Sequence, residues 1–450
     1  MSRLLCVAVS LLALSLPAAA WEYHIRMEVS PGTSWSISGE ETITGVAPGT
    51  APEVILRLYP AARTHFVLEG AWDGEGERIA WDTVDPTAAV LPLPLEEGQT
   101  VSFTLAFHGE VPPFPGGSYG TFAAGEEAVV LSQAYPILAA WDHGWVVEPV
   151  LPWGDALVAD VADYTLDLRF PPDWTALTNA TDTLLAPGHL RALGRHLREL
   201  VIVLLRDASS LRAEGEPPIV SYFPRGEKAA GTEAAAICRR ALELYGERFG
   251  TYHFPEFKVV AVPLEQAAGV EYPGLILAES HFYREVSRGL RPLFWPMIFA
   301  HEAAHQWWYA QVGNDQVREP WLDEALATFT SGLYFRAIGR WEEIRSYWER
   351  TWHLGKERNP EAGITSPLWA FPEGKGYGGI VYSGGALYLE DLREAMGDDA
   401  FFGALRRYLE DFRWKLAHGE DLLGIFMDLS PVPLEEIFRR WGIPTPRAAG

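Results

Sequence analysis

The sequence predicts two unlike halves: an all-β, antiparallel sandwich or saddle over residues 21–208, then a mainly α domain over residues 209–445. Three observations predict it. The 450 residues are too many for one ordinary core. Up to about Arg206 the chain consists of short alternating runs between glycines and prolines. Beyond Ala208 the apolar spacing becomes helical.

Composition bounds the class. At 48% hydrophobic and 21% charged residues the chain is an ordinary globular one, neither disordered nor polytopic. Its formal charge of −24 repels phosphate backbones and anionic lipid surfaces, so nucleic acid is excluded as a partner. The same charge serves solubility and draws cationic substrates.

The first element is a targeting segment. Arg3, an apolar run from Leu4 to Leu16 and Pro17-Ala18-Ala19-Ala20 read as a secretory signal, residues 1–20, cleaved after Ala20. The run is shorter than the roughly 20 apolar residues that a span needs. The mature chain is therefore expected to be soluble, without an integral membrane span, in the periplasm or outside the cell. Cys6 leaves with the signal, so Cys238 has no disulfide partner.

In the β half, Val101, Phe103, Leu105 and Phe107 alternate with smaller or polar residues, as do Tyr164, Leu166, Leu168 and Phe170. Both runs read as half-buried strands. Pro31-Gly32, Pro48-Gly49 and Asp73-Gly74 supply turns. Ala213 to Pro218 reads as a linker. Thr232 is expected to cap a helix that ends at Gly250, and Lys258 to Val262 to form a strand. Pro292 or Pro296 opens the next helix; Pro320 opens another, closed by Gly339. A Gly- and Pro-rich loop over 359–379 precedes amphipathic helix from Phe401 to Trp441.

The chemistry is concentrated in His301-Glu302-Ala303-Ala304-His305 and Glu324. On a helix, positions i and i+4 share a face, so two imidazoles can converge on one metal ion. Glu324 follows after 18 residues, one turn into the next helix. Two neutral imidazoles and one carboxylate leave a fourth corner of zinc open, the catalytic pattern. Glu302 is placed to take a proton from water rather than to ligate.

On these residues the chain resembles the gluzincin zinc aminopeptidases, the family that includes aminopeptidase N and leukotriene hydrolase. The resemblance implies that His301, His305 and Glu324 hold one Zn²⁺ per chain, with Glu302 as the general base. Ala268-Gly269-Val270-Glu271-Tyr272 is similar to the family's exopeptidase strand, which implies that Glu271, next to Gly269, grips the substrate's α-amine. Tyr382-Ser383-Gly384-Gly385 is similar to the segment whose tyrosine stabilises the oxyanion, which implies that role for Tyr382. A glutamine on a strand of the family's β domain lines the first substrate pocket; Gln133 is the candidate.

The resemblance extends over nearly the whole mature chain, a β domain followed by a thermolysin-like catalytic domain. It implies removal of N-terminal residues from peptides with a free amine. Tyr272 and Val270 depart from the family's usual asparagine and methionine, and the nine residues after Trp441 are too few for the C-terminal helical roof of larger members. A more open cleft is therefore expected. A zinc endopeptidase or broader hydrolase, and an inactive peptide-binding module of the same fold, stay open as alternatives.

Overall fold

The computed structural model describes residues 21–114 and 119–445; the export signal read in residues 1–20, Cys6 included, lies outside them. Among the described residues no helix is long and apolar enough to cross a membrane.

Alternation builds the first half. Trp21–Ser30 buries every second side chain and is the fourth strand of a seven-stranded sheet. Thr100–Val111 and Ala162–Arg169, the two alternating runs read from the sequence, belong to the same sheet and bury the expected faces. Among the described residues the strands of this sheet pair antiparallel with one exception: Trp21–Ser30 runs parallel to Ala162–Arg169. The all-antiparallel expectation is corrected there, because more than 100 residues separate these strands and a long connection permits either direction. Two four-stranded sheets complete this half.

Residues 214–218 are not a free linker. They form the turn between two paired strands, Ala208–Ala213 and Ile219–Pro224, which open a five-stranded mixed sheet. Its central strand Phe257–Val262 is buried on both faces, as parallel strands covered by helices are. Its edge strand is Gly269–Tyr272, antiparallel to Leu275–Glu279.

Helices follow: α1 (Lys228–Phe249), α2 (Ser280–Ser287), α3 (Phe294–Ala304), α4 (Trp321–Ala337), α5 (Trp341–Arg358) and α6 (Gly385–Met396). Thr232 lies inside α1, not at its cap; its hydroxyl donates back to the Lys228 carbonyl at 2.8 Å, a bond that hides the helix start from a sequence reading. Gly250 ends α1 and Pro320 precedes α4 as expected. Gly339, at φ +72°, adopts the left-handed backbone after α4 that glycine accepts without strain. The stretch from Phe401 to Trp441 is not one helix but lies on three, α7 (Asp398–Phe412), α8 (Gly419–Leu429) and α9 (Glu435–Trp441).

The halves are tied by polar groups. Lys258 is buried, and its ammonium donates to the carbonyls of Thr178 and Ala180 and to Asp182, each at 2.7 Å. Arg198 is buried, has no carboxylate partner among the described residues and donates to four carbonyls: Tyr309 (2.5 Å), Ala159 (2.9 Å), Lys415 (2.9 Å) and Gln311 (3.4 Å). Burial lowers its guanidinium to about 10, so it remains charged at neutral pH. An apolar cluster of Val130, Val203 and Leu205 against Val260, Leu275 and Leu277 closes the seam.

Candidate active site

The helix α3 is apolar almost all round, a composition that belongs in a core. It packs on Gly269–Tyr272 and Leu275–Glu279 on one side and on α4 on another. His301 sits in its last turn and His305 caps its end, so the i, i+4 pair faces the first turn of α4, where Glu324 stands.

The three side chains meet. His305 Nε2 lies 3.1 Å from His301 Nε2 and 3.5 Å from Glu324 Oε2, and His301 Nε2 lies 3.1 Å from the same carboxylate oxygen. The other ring nitrogens are occupied: His305 Nδ1 donates to the Trp308 carbonyl at 2.9 Å, and His301 Nδ1 is 3.3 Å from the Thr328 hydroxyl. With Nδ1 donating to Trp308, His305 turns Nε2 toward His301 and Glu324; burial works to lower its ring, but the surrounding carboxylates, Glu271 foremost, raise it well above the usual imidazole range, and a bound cation would take the place of that proton. Two ring nitrogens and a carboxylate oxygen at such spacing repel unless a cation lies between them. The donor set, two imidazoles and a carboxylate buried on one side and open on the other, fits zinc in its catalytic form.

Carboxylates crowd this centre. Burial pushes Glu271 up to about 8, with Glu324 and Asp323 adding to it against the pull of His305. Burial also raises Glu302, and it lifts Asp323 to about 7. Burial works to raise Glu324 too, but the hydrogen bonds from His301 and His305 win and take it to about 2. The result is a pocket that seeks positive charge.

Glu302 Oε2 is buried and has no hydrogen-bond partner among the described residues, which is the disposition of a group waiting for water or substrate. Gly269 makes room for it: a Cβ there would stand 2.5 Å from Glu302 Oε1. Glu271 is buried on the edge strand and accepts from Gln316 Nε2 at 3.3 Å; the same amide donates to Asp323 at 2.8 Å. Tyr382 lies on a π-helical stretch, residues 378–384, ahead of α6. Its hydroxyl donates to Glu324 and its ring stacks on His301 at 5.6 Å.

One cleft of about 530 Å³ is lined by Gly269, Glu271, His301, Glu302, Glu324 and Tyr382. His305 stands behind it, fully buried. Gln133 is set apart. It lies not on a strand but in the turn after Ala128–Leu131, with a left-handed φ of 54°. It lines two smaller side cavities of about 70 and 30 Å³, the second shared with Glu271. The strand expectation is corrected because a turn residue that follows a buried strand continues its pattern in the sequence.

Sequence reasoning missed Asp155, which lines the cleft and both side cavities. It also missed Tyr119, Trp153 and Tyr377 on the cleft wall, and the role of Gln316 beside Glu271. The turn residues Gly154 and Asp155 marked only a loop; nothing local signalled its approach to a helix more than 140 residues further on.

Residues 233–441 match the family model described as the peptidase family M1 domain. Among curated relatives, Aminopeptidase M1-C of Oryza sativa subsp. japonica is 25% identical over 62% of this chain and 34% of its own length. Tricorn protease-interacting factor F2 of Thermoplasma acidophilum is 26% identical over 46% of this chain and 27% of its own. The chain thus spans about a third of the length of such relatives. Among solved structures, an M1 zinc metallopeptidase from Deinococcus radiodurans matches with a TM-score of 0.67 and 20% identity over 96% of both chains, a likeness of fold. A mutant of that protein was solved with a Tyr-Ser-Ala substrate.

Proposed function

We propose, from the match of residues 233–441 to the peptidase family M1 domain, that this protein is a zinc-dependent aminopeptidase, with one Zn²⁺ per chain held by His301, His305 and Glu324. One observation carries the reading: Glu302, whose Oε2 has no partner among the described residues, and Glu271, on the edge strand, open onto the same cleft as His301 and Glu324, with His305 converging on them from behind.

Zinc bound there supplies Lewis acidity toward a peptide carbonyl and toward water. The chain's own groups do the rest. Glu271 receives the substrate's α-ammonium and so sets which peptide bond stands over the centre. Glu302 takes the proton from the attacking water and returns it to the leaving amine. Tyr382 turns its hydroxyl from Glu324 to the carbonyl oxygen as negative charge develops on it, a fixed donor that strengthens as charge grows. Gly269 leaves backbone space for substrate beside Glu302, and Gln133 borders the space for the first side chain.

The fragment 1–20 supports export, to the periplasm or the exterior, and the change of character near residue 208 supports a division into a β domain and a catalytic domain. Relatives named aminopeptidases support peptides with a free amine as substrates.

The test compares a leucine arylamide with its N-acetyl form, before and after chelation, alongside metal analysis of the dialysed protein. Cleavage of the free amine alone, lost with chelator and restored by zinc, is expected. Preference for the blocked substrate would overturn the role of Glu271 in favour of an endopeptidase; a zinc-loaded protein inert to both would leave a binding module.

A further inference from the structure

A single cation stands on the wall of this acidic cleft. Among the described residues lining it are Asp155, Glu271, Glu302, Glu324 and Glu373, and only one Lys or Arg, Arg358. Arg358 is the last residue of α5 and is exposed. Among the described residues no carboxylate pairs with it. Glu373, which lines the same cleft, is paired with Lys375 at 2.7 Å.

Helix α5 measures the distance from the reacting centre. Thr351 donates to Ser383, the residue after Tyr382, at 2.7 Å, which fixes that level of the helix beside the tyrosine. Thr351, Leu354, Gly355 and Arg358 all line the cleft, so one stripe of α5 forms its wall. From 351 to 358 the helix advances seven residues, about 10.5 Å at 1.5 Å per residue. An extended peptide covers about 3.3–3.6 Å per residue, so the interval corresponds to about three residues.

We infer that Arg358 receives the C-terminal carboxylate of a short peptide whose amino end lies at Glu271, and so selects free-acid peptides of about three to four residues. The inference rests on the aminopeptidase reading above and adds to it the length and the far end of the substrate. A planar guanidinium matches a carboxylate with two parallel N–H donors, and an unpaired one gives up no existing bond to do so. An acidic side chain at the third position offers the same chemistry. A basic residue in a last helical turn also suits the helix dipole, a role that involves no substrate.

The experiment measures steady-state kinetics of the wild type, Arg358→Gln and Arg358→Lys on Leu-Gly-Gly, its C-terminal amide, Leu-Gly-Asp amide, longer glycine homologues and leucine arylamide. In Arg358→Gln, KM for Leu-Gly-Gly is expected to rise roughly tenfold, the loss of one partly solvated charge-assisted contact, with kcat unchanged. The amide and the arylamide should be unaffected, and Arg358→Lys should recover part of the loss. Equal effects on acid and amide, or none on either, would overturn the inference, as would a penalty that follows the side-chain carboxylate of Leu-Gly-Asp amide instead of the free C-terminus. A wild type inert to the arylamide would instead sink the aminopeptidase reading, and this inference with it.

Discussion

His305 gives its Nδ1 proton to the main-chain oxygen of Trp308 at 2.9 Å, and that one bond decides which nitrogen faces His301 and Glu324. The turn after α3 thereby sets the tautomer of a proposed ligand. Trp308 is itself pinned, its indole donating to Thr330 of α4 at 2.9 Å, so the two helices that bring the donors together also orient them.

Glu302→Gln keeps the shape of the side chain and removes its basicity. The variant is expected to lose roughly 10²–10⁴ in kcat while binding zinc at wild-type stoichiometry. Full activity by arylamide assay would remove Glu302 from the chemistry.

Tyr382→Phe should lower kcat by roughly 10²–10³ with little change in KM, because the hydroxyl is most useful when charge develops on the carbonyl oxygen. A matching rise in KM without loss of kcat would make Tyr382 a binding residue only.

Gly269→Ala pushes a methyl group to within 2.5 Å of Glu302 Oε1. The expected outcome is a well-folded protein, by circular dichroism and melting, with activity reduced at least tenfold through displacement of Glu302. Wild-type turnover would show that the carboxylate finds another path.

Arg198→Ala removes donors from four carbonyls at the seam. The oxygens of Gln311 and Lys415 keep main-chain donors, Trp414 at 2.6 Å and Gly313 at 3.0 Å, whereas those of Tyr309 and Ala159 lose theirs; buried acceptors left without partners cost about 1–3 kcal/mol each, so a loss of about 2–5 kcal/mol is expected in urea unfolding. A change below about 1 kcal/mol would mean that the loops around Tyr309 do not depend on the guanidinium.

Glu199 carries a pH signature. Burial raises its carboxyl to about 7, against hydrogen bonds from Tyr309 and Ser132. The folded value lies above the unfolded one, so the native state holds this proton more tightly. Its contribution to stability is fully present below about pH 4.5 and is lost as the pH rises through 7. Glu199→Gln keeps an acceptor for Tyr309 without the ionisation. It should be more stable than the wild type at pH 8, by on the order of 3 kcal/mol, and the gap should close as pH falls to 4.5. A gap independent of pH would place the ionisation elsewhere.

Much of the site is legible in the sequence because helical geometry is local: the spacing of His301 and His305 dictates a shared face, and Pro320 marks the start of the helix that delivers Glu324. The alternation around Phe103 and Leu166 likewise dictates which faces are buried. What stayed hidden depends on contacts distant along the chain. Asp155 reaches the cleft from a loop of the β half, the π-helical turn that aims Tyr382 at Glu324 has no periodic signal, and the hairpin around residues 214–218 has the composition of a linker. Thr232 misled for a different reason, its hydroxyl serving the helix interior as readily as a cap.

The buried ammonium of Lys258 lies in the catalytic sheet, yet its three acceptors belong to the other half. Among the described residues of its own half only Glu256, at 3.2 Å, remains beside it, so separating the halves would strip a buried ammonium of three of its four partners. Heating should therefore give one calorimetric peak rather than two, and expression of either half by itself should yield insoluble material.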